Sequence, residues 1–247
     1  MEILGYSERG LINSLFCELR YSRDNLQLLN KFLSLVSFPY QTVKFQISKV
    51  KILVEQSFSD FGDADLVLFV NNIKSKQVIF IEVKVKTFQK DYWNVFEEFE
   101  GFKKGIEKDK INSSNLFTQL YHKVRLVKAL QTGGLKQLQT GVQFPRCSSK
   151  SHRKIGNNKV VLNAINQLKD YYKESLFIAL LPENDSNLRN FYKNTLKNYC
   201  PQGFQEWDIR DWGYISWTQV EEFCKRNNLK ETLKNFKWNE GQIYEKR

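Results

Sequence analysis

The stretch VIFIEVKVKT, residues 78–87, decides the fold. Side chains alternate between the two faces of a strand, so one face changes from apolar to ionisable at Glu82, Lys84 and Lys86. The other face stays apolar throughout, with Ile79, Ile81, Val83 and Val85. A strand covered on both faces is normally a continuous apolar run. The pattern therefore predicts a buried strand that ends in a cluster of ionisable groups.

The preceding strand-like segment, DLVLFV at 65–70, begins with a second acid. If the two strands form a hairpin centred between Ile73 and Lys74, Asp65 lies opposite Glu82, with Cβ atoms about 5 Å apart. Two carboxylates that close repel each other unless a cation lies between them. Mg²⁺ binds one or two carboxylates and completes its shell with water and phosphate oxygens. The spacing therefore predicts a Mg²⁺ site formed by Asp65 and Glu82.

Neighbouring groups extend this predicted site. The Val83 carbonyl is a candidate further ligand, and Lys84 projects to the same side as Glu82, where it could act on the attacking water. Asp63 shares a face with Asp65 and remains the alternative ligand. We prefer Asp65 because it directly adjoins the apolar strand. The competing interpretation is an exposed salt-bridge ladder, but these strands are too apolar for an exposed hairpin.

A further acid, Glu8, lies on the apolar stripe of the first predicted helix, one turn before Leu11 and Ile12. An acid on a core-facing side needs a partner, and a metal cluster would supply one. An acid near a helix N-terminus is also favoured by the helix dipole. Spacing alone leaves both interpretations open.

The net charge of +11 is concentrated in residues 111–160, which hold nine basic residues and no acid. Such a block is suited to a phosphate backbone, although a solvated basic loop is the alternative. His122 and His152 are too few and too far apart for a zinc site. We expect contacts to DNA from strand, helix and arm residues, namely Lys86, Lys123, Arg125, Lys128, Arg146, Lys150, Arg153 and Lys154.

Composition narrows the class of protein. A hydrophobic content of 41% favours a folded chain, and we expect no membrane span, no secretory signal and no small-molecule cofactor. The four widely spaced cysteines predict neither a zinc site nor a disulfide framework, so we expect a cytoplasmic protein. We predict one domain over 1–247, with a basic loop or arm at about 133–158 and a C-terminal α/β extension.

Hydrophobic periodicity predicts a mixed α/β fold. Ser7, Ser114 and Ser216 stand where N-caps are expected, and Gly133-Gly134 stands where a helix should end. The predicted helices cover 8–20, 26–36, 114–133, 186–199 and 217–227, and the predicted strands cover 43–55, 65–70, 77–86 and 175–181.

These residues resemble the D…ExK signature of the PD-(D/E)XK nuclease superfamily, with Asp65 seventeen residues before Glu82-Val83-Lys84. Three further segments are similar to its uncharacterised bacterial branches: YSERGLINSLFCEL, NLFTQLYHKV and ISWTQVEEF. Ala64 stands where the family motif carries proline. The resemblance covers roughly residues 5–130.

The resemblance implies a restriction-endonuclease-like core, with a four-stranded mixed sheet flanked by helices. It also implies Mg²⁺-dependent phosphodiester hydrolysis, with Mn²⁺ able to substitute, and a homodimer as one option. In this scheme Asp65 and Glu82 bind metal, Lys84 acts on the water, and Glu8 and Gln119 support the site. A catalytically silent nucleic-acid-binding module and an RNA-directed nuclease remain alternatives.

Overall fold

The computed structural model describes residues 3–86, 92–108, 112–143, 152–199 and 208–243. These residues form an α/β fold in which helices cover both faces of a mixed five-stranded sheet. The strands are β1 (Ile47–Ser57), β2 (Asp63–Asn72), β3 (Lys76–Val83), β4 (Val142–Gln143), β5 (His152–Arg153), β6 (Ser175–Leu181) and β7 (Trp212–Ser216). The α-helices are α1 (Ser7–Tyr21), α2 (Asn25–Leu33), α3 (Val95–Glu107), α4 (Leu116–Thr140), α5 (Lys159–Leu168), α6 (Asp185–Asn190), α7 (Trp217–Arg226), α8 (Lys230–Trp238) and α9 (Glu240–Ile243).

The strand order in the main sheet is β1-β2-β3-β6-β7. The first three strands are antiparallel, whereas β3, β6 and β7 run parallel to one another. The sheet thus has one strand more than the four that the resemblance implied. Strands β4 and β5 form a separate two-stranded ladder. None of the described helices is long and apolar enough to cross a membrane.

Strand β3 is buried on both faces, as its sequence predicts. Val78 and Phe80 pack into one core with α3, α4 and α5. Ile79 and Ile81 pack into the other core with α1, α2, α7 and α8. Alternation along one strand therefore separates two apolar layers, and Glu82 follows Phe80 on the α4 side.

The helix ends agree with the sequence predictions only in part. The capping box at Ser216 is present, with the Ser216 side chain bonded to the Gln219 backbone and the Gln219 side chain bonded back. The predictions for Ser7 and Ser114 are wrong. Helix α1 begins at Ser7 and has Tyr6 as its N-cap, and the cap of α4 is Asn115, whose side chain accepts from two backbone N–H groups.

The predicted loop at 133–158 is helical in its first part. Helix α4 continues to Thr140 across a kink at Gly134, where φ is 63° and ψ is −160°. Glycine adopts this left-handed φ without a Cβ clash, so the chain bends and the helix resumes. Strands β4 and β5 flank residues 144–151, which lie outside the described residues, and α5 begins at Lys159.

Removing the Ser216 cap tests the link between local sequence and fold. We expect Ser216→Ala to lower the free energy of unfolding by about 1 kcal/mol, because α7 loses a side-chain acceptor for its N-terminal N–H groups. Urea unfolding measures the change. Ser113→Ala, at an exposed serine, is the control and should match the wild type. Equal stability of all three proteins would contradict the role of the cap.

Candidate active site

The hairpin of β2 and β3 has the predicted register. Leu66 lies opposite Ile81, and Val67 lies opposite Phe80. The next opposed positions along the two strands are Asp65 and Glu82. The hairpin closes through a hydrogen bond from the Asn72 N–H to the Ser75 carbonyl, 2.8 Å long. The alternation of apolar residues thus brings the two acids to one end of the hairpin, on the same face.

The Glu82 carboxylate is completely buried, with 0% of its side chain exposed. It lies opposite Ala179 in the parallel ladder with β6. Neither carboxylate oxygen accepts a well-aligned hydrogen bond from the described residues. Burial raises the pKa of Glu82 to about 7; Lys123 opposes this effect, and the charge of Asp65 adds to it. A buried acid with unused oxygens is unusual enough in a protein interior to need a specific explanation.

Lys123 supplies the nearest positive charge to Glu82. Its Nζ lies 3.3 Å from Glu82 Oε1, and both side chains are 0% exposed. The same ammonium donates hydrogen bonds to the carbonyls of Phe61 and Asp63, each 3.0 Å long. The predicted contact between Lys123 and a DNA backbone is therefore wrong, because this side chain is fully buried and bonds to groups inside the protein. Helix α4, the strand end and the turn before β2 meet at one ammonium group.

Asp65 is tied to the same strand end. Its Oδ2 accepts a 2.7 Å hydrogen bond from the Val83 N–H. Burial raises the pKa of Asp65, while the Val83 N–H and the charge of Lys84 partly offset that rise. Asp63 is exposed at the start of β2, and its carbonyl is held by Lys123. This geometry favours Asp65 over Asp63 as the partner of Glu82.

The resemblance implied that Gln119 lies near the site, and Lys84 Nζ donates a hydrogen bond to Gln119 Oε1. The backbone of Lys84 is fixed on both sides. Its N–H donates to the Leu180 carbonyl at 2.9 Å, and its carbonyl accepts from Trp217 Nε1 at 2.9 Å. The ammonium group is thus held beside the two acids by contacts from β6, α7 and α4.

Glu8 lies in the first turn of α1 and is half-buried. Its charge acts on Asp65 and contributes to the raised pKa of that carboxyl. The start of α1 is held by α8, where the Gly5 N–H donates to Asn235 Oδ1 and the Ser7 N–H donates to Asn239 Oδ1. The described residues contain no group of three or more Asp, Glu, His or Cys side chains suited to a metal. Glu8 is therefore an electrostatic neighbour of the acid pair, and its role as a direct ligand stays a prediction.

The other basic residues that were predicted to contact DNA differ in exposure and in the groups around them. Lys86 is only 3% exposed, and its N–H donates to the Gln242 carbonyl, so the predicted contact of its side chain with DNA is wrong. Arg125 donates to the Gln143 carbonyl. Lys128 is exposed, but its charge acts on Asp208 and Asp211 at the start of β7.

Two arm residues lie against the turn that leads into β2. Arg153 donates to the Asp60 carbonyl, and the Lys154 N–H donates to Asp60 Oδ2. The side chain of Lys154 is exposed. Arg153 and Lys154 therefore lie beside the turn that leads into the strand carrying Asp65. Arg146 and Lys150 lie outside the described residues.

Comparisons with protein-family models, curated proteins and solved structures find no match for this chain.

Sequence reasoning missed the internal role of Lys123. One signal was present, because Lys123 follows Gln119 by four residues and so lies on the same face of α4. If Gln119 faces the site, Lys123 on the same helix face is expected to point towards the site as well. Trp217, which bonds the Lys84 carbonyl, carried no comparable signal, because only the tertiary fold brings α7 to the end of β3.

The buried Glu82 predicts a pH dependence of stability. Its pKa is raised from 4.5 to about 7 on folding, so the folded state binds this proton more tightly. The stabilisation from that proton is complete at low pH and is lost as the pH rises through the folded pKa. In chelator, the stability of the wild type relative to Glu82→Gln should fall by on the order of 3 kcal/mol between about pH 4.5 and 7.5.

Urea unfolding at several pH values measures this difference. Glu222→Gln, at an exposed acid on α7, is the matched control and should follow the wild-type curve. If the wild-type and Glu82→Gln curves run parallel, the Glu82 carboxyl does not titrate in this range.

Proposed function

We propose that this protein is a metal-dependent nuclease that hydrolyses phosphodiester bonds of DNA and has a restriction-endonuclease-like core of the PD-(D/E)XK type. The observation that carries the proposal is the gathering of Asp65, Glu82 and Lys84 at the end of one buried hairpin, with Gln119 bonded to Lys84. Nothing about packing requires these four polar residues at one strand end. Metal-assisted hydrolysis of a phosphodiester makes use of such a set of groups.

The sheet supports the finer assignment of the fold. An antiparallel hairpin that carries the acids continues into parallel strands β6 and β7, with helices on both faces. This mixed arrangement agrees with the core that the sequence resemblance implies. A fold by itself does not define a function, so the activity rests on the site.

The residues present fit a hard divalent cation. Neither oxygen of Glu82 accepts a well-aligned hydrogen bond from the described residues, and continuing the hairpin register by one pair sets the Asp65 carboxylate beside it. Mg²⁺ needs one or two protein carboxylates and takes its other ligands from water and phosphate. Asp65 and Glu82 would hold it, with the Val83 carbonyl as a further ligand, and Mn²⁺ would substitute. When bound, the ion would neutralise charge on the phosphate and lower the pKa of bound water.

The remaining groups act on the water and the phosphate. Hydrolysis adds a water oxygen to phosphorus and breaks one P–O ester bond, so negative charge accumulates on the phosphoryl oxygens. The Lys84 ammonium carries the charge needed to hold the attacking water or to stabilise those oxygens. Gln119 accepts a hydrogen bond from Lys84 and thereby limits its rotation.

Substitution of the site tests the reaction. We expect Glu82→Ala and Lys84→Ala each to lower Mg²⁺-dependent cleavage of plasmid DNA by at least about 10²-fold, because each removes a group that acts in the transition state. Gel analysis of nicked and linear product measures the rate. Glu222→Ala and Lys225→Ala, on the exposed face of α7, are the matched controls and should retain wild-type rates. Cleavage that survives either site substitution would reject the assignment.

DNA binding by the arm is tested through its salt dependence. Arg153→Ala with Lys154→Ala should reduce the slope of log K against log salt by about one for each phosphate that the double variant no longer neutralises. Lys128→Ala is the control and should change the slope little, because the charge of that lysine acts on Asp208 and Asp211. Fluorescence anisotropy with labelled duplex measures the slope in Ca²⁺. An unchanged slope in the double variant would place the DNA elsewhere.

The same preparation separates the alternatives. Plasmid, linear duplex, single-stranded DNA and RNA are each incubated with Mg²⁺, Mn²⁺ or chelator. Cleavage of RNA alone would identify an RNA-directed nuclease, and tight DNA binding without cleavage would identify a silent binding module. Nicked plasmid shows that one strand is cut, whereas linear plasmid shows that both strands are cut. A homodimer would favour the cutting of both strands.

A further inference from the structure

Lys123 is a second ammonium group in the proposed site, and the proposed reaction gives it no task. Lys84 already supplies the positive charge beside the acids and is partly exposed. Lys123, which pairs with Glu82, is fully buried and has no access to solvent. The site thus pairs two acids, Asp65 and Glu82, with two ammonium groups.

The position of Lys123 is fixed independently of Glu82. Its Nζ donates to the carbonyls of Phe61 and Asp63, which flank Gly62. A Cβ at Gly62 would lie 3.6 Å from Nζ, and φ at Gly62 is +75°. The left-handed turn thus directs two carbonyls at one ammonium. Lys123 would stay in place even if Glu82 turned to another partner.

We infer that Lys123 is the counter-ion of the metal site. Its charge reduces the free-energy cost of burying the Glu82 carboxylate, and it lowers the affinity of that site for a divalent cation. This inference rests on the proposed function and adds the control of metal affinity to it. Lys123 is accordingly a positioning residue, because it acts through Glu82 and does not contact substrate.

The sign of the effect follows from charge. A fixed positive charge 3.3 Å from Glu82 Oε1 repels any cation that binds the same carboxylate. Removal of the Lys123 charge should therefore strengthen metal binding overall.

The experiment compares Mg²⁺ binding by Lys123→Met and by the wild type, using isothermal titration calorimetry and thermal unfolding at about pH 8. We expect the variant without metal to melt at a lower temperature, because it leaves the buried Glu82 without its charged partner. We also expect a dissociation constant for Mg²⁺ at least about tenfold lower and a larger rise in melting temperature on saturation. A purely structural lysine would lower the melting temperature without changing the affinity for metal.

Control variants separate this inference from the proposed function. Lys128→Met, at an exposed lysine on the same helix, should bind Mg²⁺ as the wild type does. Combining Lys123→Met with Glu82→Gln should abolish the gain. Equal affinity in the wild type and Lys123→Met overturns the inference and leaves the nuclease proposal standing. Absence of binding in both overturns the inference and also removes the metal site. Tighter binding without cleavage of any nucleic acid supports the inference and rejects the nuclease.

A second measurement covers the case in which Lys123→Met does not fold. In the wild type, the ¹⁵Nζ signal of Lys123, assigned with Lys123→Arg, should shift when Mg²⁺ is added, because the ammonium and the ion share Glu82. The exposed Lys128 serves as the reference signal. A Lys123 signal that is unmoved at saturating Mg²⁺ overturns the inference.

Discussion

The burial of the Glu82 carboxylate at the end of β3 is the constraint on which the rest of the site depends. An isolated charge in a protein interior is strongly unfavourable, so the surrounding fold must supply a partner. Here the partner is Lys123, which α4 places 3.3 Å away. The same ammonium holds the Phe61 and Asp63 carbonyls, so the turn before β2 is also fixed. One ion pair thus links the helix, the turn and the hairpin, and it sets where Asp65 lies.

The helices on the opposite face of the sheet hold the other parts of the site. Trp217, the first residue of α7, bonds the Lys84 carbonyl, and the capping box at Ser216 fixes the start of that helix. Asn235 in α8 and its C-cap Asn239 accept hydrogen bonds from the N–H groups of Gly5 and Ser7 at the start of α1. Helix α1 carries Glu8, whose charge acts on Asp65. The position of Glu8 therefore depends on hydrogen bonds between the start of α1 and residues more than 200 positions away in sequence. The C-terminal helices are therefore part of the support of the proposed site.

The sequence was sufficient to predict the hairpin register, because period-two burial and the turn centre determine which residues oppose each other. That is why the pairs Leu66–Ile81 and Val67–Phe80 agree with expectation and bring Asp65 to the end of β3, where it accepts from the Val83 N–H. The position of Gln119 beside Lys84 agrees with what the family resemblance implied and does not follow from the register. The sequence did not reveal that Lys123 is internal, since a lysine in a basic segment is usually solvated. Nor did it reveal the continuation of α4 past Gly134, because a glycine pair ordinarily marks a helix end and only tertiary packing stabilises the kinked extension.

The energetics of Glu82 also bear on the choice between a nuclease and a silent binding module. A protein that only held nucleic acid would gain nothing from a buried carboxylate, since a negative charge repels phosphate and neither oxygen here accepts a well-aligned hydrogen bond from the described residues. A neutral residue of similar volume would remove that cost. Keeping the acid at that cost is advantageous where a divalent cation is to be bound there. The unfavourable burial of Glu82 therefore supports a metal-dependent reaction more than passive binding.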